Sequence, residues 1–328
     1  MNLNFVRSWC EFYESNNDTI YKGNLSDPHK YYISEIIYTE NSRFIDFYQN
    51  YSTSIKILVE SSLFHSNHIG NTKNLYGNYN GGNFYINAFL DIVQNKICSY
   101  NCSSNGYGQH CHIRTQSDTI QYKNYNYLSS YSDLGQTDIG SATVHYGDGE
   151  VLIHNTNISN CRVKQQCGIY IETTFYKGNI TQTSILNNSA NSQYCIYFSG
   201  FKDFSCIKSN ILNNSVSDRL IYTKNYDLTI ISSIIKNNIA NNTFYPSSNM
   251  INIIHSMIDI SGSTNKLNTE LIKTQEFEHV YSFSISDKCC FSVIISQHAK
   301  IKCTKFLLSL SLLISYLDFK QRTSEYII

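Results

Sequence analysis

One short segment of the sequence concentrates the residue types that bind zinc. Cys98 and Cys102 are followed by His110, Cys111 and His112, and a Cys-x3-Cys step with a second pair of ligands is a common zinc pattern. In the competing interpretation, the cysteines fill an apolar core and the histidines face solvent at a bend. We favour this second interpretation and therefore predict no metal site and no cofactor.

Four acidic residues are the next candidates for chemistry, because cleavage of a glycosidic bond requires a pair of carboxyl groups. Asp133, Asp138, Asp148 and Glu150 lie close together in the sequence, but no acidic residue recurs at the same phase of the next repeat. We therefore predict no catalytic residues and a protein that is not an enzyme. A polysaccharide-active lyase or glycosidase is the alternative, and carboxylates converging on one face would favour it.

A repeat in the sequence predicts the secondary-structure elements that would position any functional site. One short pattern returns four times between Val151 and Asn242, at spacings of 27, 26 and 23 residues. A period of this length is typical of solenoid proteins. The copies are Ile158-Ser-Asn-Cys161, Ile185-Leu-Asn-Asn188, Ile211-Leu-Asn-Asn214 and Ile234-Ile-Lys-Asn237, and weaker upstream matches run from Phe64 to Asn67, Cys98 to Asn101 and Leu128 to Tyr131.

Short runs with strand character accompany the copies. Val151–Ile153, Gly168–Ile171 and Cys195–Phe198 are typical, since they are rich in β-branched and aromatic residues. Two or three such strands in a coil of about 25 residues fit a parallel β-helix. We predict an all-β fold, a single-stranded right-handed parallel β-helix (a solenoid) with irregular caps. Its parts are an N-terminal cap or imperfect coils in 1–54, the β-helix in 55–255, and a C-terminal cap with a short apolar segment in 256–328.

Stacked coils turn equivalent positions into ladders, because each coil lies about 4.8 Å above the last. No coil can bury its apolar face alone, so we expect isoleucines to form one inward column. We expect asparagines to stack at a bend, where Asn tolerates a left-handed backbone and hydrogen-bonds the amides above and below it. The predicted ladders are Ile158, Ile185, Ile211 and Ile234, and Asn67, Asn101, Asn188, Asn214 and Asn237.

Tyrosine recurs at the centre of one strand in successive coils. Alternation along a strand turns the flanking residues inward and directs Tyr170, Tyr197 and Tyr222 outward. Tyr85 and Tyr146 are expected to extend this column. Stacked tyrosines offer apolar faces with hydroxyl tips to a sugar or a protein. The alternative is that they only shield and stiffen the sheet, as cross-strand aromatic pairs do.

Two motifs resemble those of a known family. Gly81-Gly82-Asn83-Phe84 and Gly140-Ser141-Ala142-Thr143-Val144 resemble worn Gly-Gly-Ala-Ile repeats, and Phe64-His-Ser-Asn67 is a Phe-x-x-Asn motif. The pairing is similar to the repeats of polymorphic outer-membrane-protein adhesins. Over about residues 55–255 the chain also resembles right-handed β-helix surface proteins of trichomonad parasites. The resemblance implies an adhesive β-helix at the cell surface or secreted, and it supplies no catalytic residues.

Composition narrows the possible partners. The net charge is +0, the pI is about 7.1 and only 15% of residues are charged, so no basic surface favours nucleic acid. We therefore expect a glycan or a host or cell-surface protein as partner, with an inert structural repeat protein as a further alternative. Eleven cysteines leave at least one thiol unpaired, and both disulfides between coils and reduced core cysteines remain open.

Location rests on weaker signals. Residues 1–54 contain no apolar run of the length found in secretory signals. The apolar run Phe306–Leu317 is shorter than the roughly 20 residues of a membrane-spanning helix, so we favour a capping element over a tail anchor. A cell-surface or secreted protein is expected on the resemblance, with membrane anchoring left open.

Overall fold

A computed structural model describes most of the chain up to residue 271. The described residues are 12–13, 30–34, 36–39, 43–49, 55–70, 80–116, 120–174, 176–200, 202–262 and 266–271. The predicted capping segment Phe306–Leu317 lies outside them. No helix in the described part of the chain has the length and apolar character needed to cross a membrane.

The described residues form 29 β-strands. In chain order they are β1 Lys30–Ser34, β2 Ile37–Tyr38, β3 Ile45–Gln49, β4 Ile55–His65, β5 His68–Ile69, β6 Phe84–Ala88, β7 Leu90–Tyr100, β8 Ser103–Ser104, β9 Cys111–Arg114, β10 Lys123–Tyr127, β11 Ser130–Ser132, β12 Val144–Gly147, β13 Glu150–His154, β14 Asn157–Ser159, β15 Arg162–Val163, β16 Ile169–Thr174, β17 Gly178–Thr181, β18 Ser184–Leu186, β19 Ser189–Ala190, β20 Tyr194–Gly200, β21 Phe204–Ile207, β22 Asn210–Leu212, β23 Ser215–Val216, β24 Arg219–Lys224, β25 Leu228–Ile231, β26 Ile234–Lys236, β27 Asn242–Pro246, β28 Ile251–Ile258 and β29 Leu267–Leu271.

These strands stack coil on coil as a parallel β-helix, which confirms the predicted all-β solenoid. A 16-stranded sheet carries the first two strands of each coil, and an 8-stranded sheet runs in the order β27-β24-β20-β16-β12-β9-β6-β3. Neighbours such as β13 and β17 pair in parallel. β1, β2 and β3 form a first coil inside the segment predicted as a cap or imperfect coils. β28 and β29 continue the stack beyond residue 255.

Two bends with a left-handed backbone recur from coil to coil. Such a backbone costs an ordinary residue roughly 1–2 kcal/mol, and Asn and Asp tolerate it best. At the first bend φ lies between 47° and 56°, at Ser61, Lys96, Leu128, Asn155, Gln182, Lys208, Ser232 and His255. At the second bend φ lies between 51° and 56°, at Ser66, Asn101, Asp133, Asn160, Asn187, Asn213 and Asn237.

A ladder of hydroxyl groups follows the first bend. Thr183 N–H donates to Ser209 Oγ at 3.3 Å, and Ser209 N–H donates to Ser233 Oγ at 3.1 Å. Each hydroxyl also donates to the carbonyl two residues earlier, so these buried polar groups are satisfied. The sequence analysis missed this ladder. Its signal is a Ser or Thr two residues before the core isoleucine, as in Thr156 and Thr183.

An asparagine ladder follows the second bend. The backbone N–H and the side-chain amide of Asn188 both donate to Asn214 Oδ1, each at 3.0 Å. Asn214 donates in the same way to Asn238 Oδ1, at 2.9 and 3.0 Å. Equivalent residues are separated by 26 and then 24 positions. The inward ladder is therefore Asn188, Asn214 and Asn238.

The structure corrects two predicted ladder residues in the last copy of the repeat. Ile158, Ile185 and Ile211 lie in one buried column, but Ile211 pairs with Ile235 rather than Ile234. Ile235 is fully buried, whereas Ile234 is half-buried and pairs with Asn210. The prediction for Ile234 was wrong by one residue, because two consecutive isoleucines satisfy the same pattern.

The predicted asparagines divide between two neighbouring columns. Asn188 and Asn214 belong to the inward ladder, and Asn67, three residues after Phe64, is also buried and donates to Asn83 Oδ1 at 2.8 Å. Asn101 and Asn237 are the left-handed residues one position earlier in the coil. Their prediction as ladder members was wrong, because the residue with the left-handed backbone comes directly before the residue whose side-chain amide forms the ladder.

Replacing Asn214 by Gly is expected to destabilise the protein by roughly 2–4 kcal/mol. It leaves the Asn188 N–H and the Ile185 carbonyl, which accepts from Asn214 at 2.9 Å, without their buried partner. The matched variant Asn213→Gly changes an exposed left-handed residue, a conformation that Gly adopts readily, and should change stability little. Urea denaturation of both variants is the measurement, and equal losses would contradict the ladder.

The coils that contain β7 and β9 enclose a polar network. His110 is fully buried. Its Nδ1 lies 3.0 Å from Asn83 Nδ2 and its Nε2 lies 2.9 Å from Gln94 Oε1. Gln94 in turn donates to the Tyr146 hydroxyl at 3.3 Å. Burial lowers the pKa of His110 to about 3, so the ring is neutral, accepting at Nδ1 and donating at Nε2. The expectation of a solvated His110 was wrong.

An N-terminal segment covers part of the 16-stranded sheet on its outer side. Phe12 and Tyr13 pack against Leu58 and Val93. The Tyr13 hydroxyl donates to the Ile57 carbonyl at 2.7 Å. This contact buries outward-facing apolar residues of the first coils, which would otherwise be exposed to water.

Candidate binding face on the eight-stranded sheet

The central outward residues of the eight-stranded sheet form a continuous column of aromatic side chains. Tyr170 pairs with Tyr197, which pairs with Tyr222. Beyond these three predicted residues the pairing continues to Tyr245 on one side and through His145 on the other. We call this set the aromatic column; its members are Tyr85, His112, His145, Tyr170, Tyr197, Tyr222 and Tyr245.

Strand alternation places these side chains outward, as the sequence analysis expected for three of them. The neighbours of Tyr170, Ile169 and Ile171, are fully buried in the core. Tyr85 also lies in the column, whereas Tyr146 pairs with Ile171 and points into the core. The expectation for Tyr146 was wrong because His145 holds the outward position of its strand. A search for recurring tyrosine did not reveal that the column is continuous, because this position is occupied by histidine.

Ring contacts run the length of the aromatic column. Tyr170 and Tyr197 stack with ring centroids 4.4 Å apart and planes at 18°. The His112 and His145 centroids lie 4.2 Å apart, and the Tyr197 and Tyr222 rings meet edge to face at 5.3 Å. Aromatic pairs of this kind contribute about 0.5–1.5 kcal/mol each beyond their burial. The column therefore stiffens the sheet whatever else it does.

The aromatic column is half-buried at Tyr170 and most exposed at its last ring, Tyr245. Tyr85, His112 and His145 are buried, and Tyr197 is only 8% exposed, because it stacks between Tyr170 and Tyr194. Tyr222 is half-buried and Tyr245 is 40% exposed. The expectation of an open face at Tyr197 is thus not met. We call one accessible region the terminal patch; it consists of Tyr222 and Tyr245 of the column together with the adjacent residues Tyr194 and Arg219.

Arg219 is held against the tyrosines of the terminal patch. Its guanidinium carbon lies 3.8 Å from the ring centroid of Tyr245 and 4.9 Å from that of Tyr222. Its Nε lies 3.1 Å from the Asp218 carboxylate. A guanidinium over a tyrosine ring is a favourable cation–π arrangement. The sequence analysis missed Arg219, whose signal is its register with Tyr194 in the preceding coil.

A charged cluster flanks the buried half of the aromatic column. Arg114 Nε lies 3.3 Å from Asp148, and His145 Nε2 lies 3.0 Å from Glu172. Asp148 N–H donates to the Glu172 carbonyl oxygen at 3.1 Å, so the two acids lie on adjacent coils. Gly147 leaves room for Arg114, since a Cβ there would lie 2.9 Å from Arg114 Cγ. Glu172 is in register with Gly147, one residue before Asp148, and the search for acids in phase with Asp148 therefore did not find it.

The electrostatics of this cluster favour ion pairing over proton transfer. Burial raises the pKa of Glu172, but the hydrogen bond with His145 and the charge of Arg114 outweigh it, and the pKa lies below its usual value. A glycosidase acid needs a raised pKa to hold its proton near neutrality. Burial also lowers the pKa of His145. The cluster therefore anchors His145 in the column and favours the ionised form of Glu172.

The predicted zinc candidates do not converge in the structure. Cys111 pairs with Val144 on the core side, whereas the next residue, His112, pairs with His145 on the outer face. In the ranges that the structure describes, no three His, Cys, Asp or Glu side chains are arranged to hold a metal ion. The described cysteines are buried and form no disulfide bonds; they are Cys98, Cys102, Cys111, Cys161, Cys167, Cys195 and Cys206.

Comparison with known proteins adds no family to this picture. No protein-family model, curated protein or solved structure matches the chain. The resemblance to polymorphic outer-membrane-protein adhesins and to trichomonad β-helix surface proteins therefore remains a hypothesis. Any function has to be argued from the faces of the solenoid, and the terminal patch is the best candidate among them.

Proposed function

We propose that this protein is a non-enzymatic β-helix scaffold that binds a glycan or a protein in the manner of an adhesin. The observation that supports the proposal is the terminal patch, where the exposed ring of Tyr245, the half-buried ring of Tyr222 and Arg219 share one sheet face. A cell-surface or secreted location is part of the proposal. Protease treatment of intact cells tests it, since peptides from residues 151–242 should be released.

The physical basis is a preformed aromatic surface. Tyrosine offers a flat apolar face and a hydroxyl group, and it loses little conformational entropy on binding. Neighbouring rings already restrain Tyr222 and Tyr194, whose centroids lie 5.2 Å apart, so less ordering remains to oppose association. A column that only stiffens the sheet does not require its last ring to be exposed, and Tyr245 is 40% exposed.

The charge of the protein agrees with this class of partner. With a net charge of +0, the protein has no long-range attraction for the phosphates of a nucleic acid. A polysaccharide-active enzyme remains the competing proposal, and its candidate residues are Asp148 and Glu172. The lowered pKa of Glu172 supports the binding scaffold instead.

The double variant Tyr222→Ala/Tyr245→Ala is expected to weaken ligand binding at least tenfold. Removing both rings eliminates the apolar contact area of the terminal patch, and central aromatic residues of interfaces commonly contribute about 2 kcal/mol or more. Glycan arrays and cell-binding assays, followed by titration calorimetry with any ligand found, provide the measurement.

The control for this prediction is Tyr100→Ala. Tyr100 is 36% exposed and stacks on His65 at the other sheet, so this variant removes a comparable ring away from the patch. If the double variant and the control bind as the unaltered protein does, the terminal patch is not the recognition surface.

A further inference from the structure

We infer that the terminal patch recognises an acidic sugar, through a carboxylate or sulfate group held by Arg219. This inference rests on the proposed function and names the ligand class for the same surface. It is carried by the combination on one face of a fixed guanidinium with the exposed ring of Tyr245 and the half-buried rings of Tyr194 and Tyr222. Neither a neutral glycan nor a purely apolar partner makes use of that combination.

The guanidinium of Arg219 is fixed in position yet still able to bind. Tyr245 and Tyr222 support it through ring contacts at 3.8 and 4.9 Å. Its Nε faces Asp218 at 3.1 Å. The ion pair with Asp218 is made through Nε, at the inner edge of the guanidinium fork, and 24% of the side chain is exposed. The free edge of the fork is therefore available to a ligand.

A planar guanidinium matches a carboxylate or sulfate, because two parallel N–H groups meet two oxygens at once. Asp218 is 43% exposed and nearly balances the charge of Arg219. We therefore expect recognition to depend on hydrogen-bond geometry more than on long-range attraction, with a weak dependence on salt. The rings of Tyr194 and Tyr222 lie beside the guanidinium and offer apolar faces to the sugar ring.

The test is titration calorimetry of the full chain with three defined probes. A galacturonic acid hexamer carries carboxylates, its carboxyl-reduced counterpart is neutral, and a heparin hexasaccharide carries sulfates. The informative variants are Arg219→Gln, which keeps a planar amide without charge, and Arg219→Lys, which keeps charge without the fork. Arg162→Gln is the charge-matched control, since Arg162 is exposed on β15.

The expected result is that at least one acidic probe binds about tenfold more tightly than the neutral one. Arg219→Gln should abolish that difference, Arg219→Lys should retain only part of it, and Arg162→Gln should leave it unchanged. The carboxylate and sulfate probes identify which acid group is preferred. Circular dichroism of each variant shows that the coils remain folded.

Three outcomes would overturn the inference. They are equal affinity for acidic and neutral probes, an acid preference that survives in Arg219→Gln, and binding of a protein partner by a chain that binds no glycan. The first and third leave the proposed function intact, because binding would still depend on Tyr222 and Tyr245. Full binding by the Tyr222→Ala/Tyr245→Ala variant, in contrast, is the failure of the proposed function itself.

Discussion

Ile235→Asn is expected to destabilise the protein by about 3–5 kcal/mol, whereas Ile234→Asn, one residue earlier, should cost less than about 1 kcal/mol. Ile235 is fully buried and stacks on Ile211 in the core column. The substitution removes buried apolar contacts and leaves an amide without partners inside the coil. Losses of this size come from such core positions and seldom from the surface.

The mild effect at Ile234 follows from the residues stacked on it. Ile234 pairs with Asn210, which pairs with Ser184, and Ser184 pairs with Asn157. On its other side Ile234 pairs with the half-buried Met257. Asparagine at position 234 would thus continue the polar residues on one side and lose only a half-buried apolar contact on the other. Thermal and urea denaturation of both variants provide the measurement. Equal destabilisation, or a larger loss for Ile234→Asn, would show that the register of this coil differs from the one described.

Acidification below about pH 6.5 is expected to destabilise the protein progressively, by several kcal/mol as pH 3 is approached. Burial lowers the pKa of His110 from its usual 6.5 to about 3. Between these two values the unfolded chain binds a proton at this residue and the folded chain does not, so stability falls as pH falls. Above about pH 6.5 both states are neutral at His110 and its contribution is constant.

His110→Gln is the variant that isolates this effect. Its amide can accept from Asn83 and donate to Gln94, as the neutral imidazole does, but it has no proton to gain in this range. The variant should therefore show a flatter decline of urea midpoint between pH 6.5 and pH 4. His68→Gln, at an exposed position, is the control. A His110→Gln profile parallel to that of the unaltered protein would contradict a buried neutral His110.

His112 and His145 contribute in the same direction, because burial lowers the pKa of both. Their imidazoles lie 4.2 Å apart by centroid, so charging one would also disfavour charging the other. The loss of stability that the His110→Gln variant still shows on acidification therefore includes the contribution of His112 and His145 in the aromatic column. The difference between the unaltered protein and this variant measures the contribution of His110 in the interior of the solenoid.

The fold could be predicted from the sequence because a solenoid repeats its local rules. The spacing of Ile158, Ile185 and Ile211 determined the coil length, and alternation around Tyr170 determined which side chains face outward. The predicted register was wrong where two consecutive residues fitted the repeat pattern equally well, as at Ile234 and Ile235. It was also wrong where the left-handed backbone and the amide ladder belong to two residues, as at Asn213 and Asn214.

The candidate site was less accessible to prediction, for a physical reason. Exposure depends on which rings cover one another, and nothing in the sequence distinguishes Tyr197, buried between two rings, from Tyr245 at the open end. Arg219 and Glu172 act through partners on neighbouring coils, Tyr245 and His145. Such pairs can be predicted only when the number of residues in each coil is known.

The length of the aromatic column depends directly on the number of stacked coils. Its rings follow one another at 4.2 to 5.6 Å, as the spacing of stacked coils requires. The number of coils therefore determines how far the face extends. The sequence of each coil determines only which side chain occupies its outward position. A chain of this kind can lengthen or shorten its contact surface by whole coils while the chemistry of every remaining step stays the same.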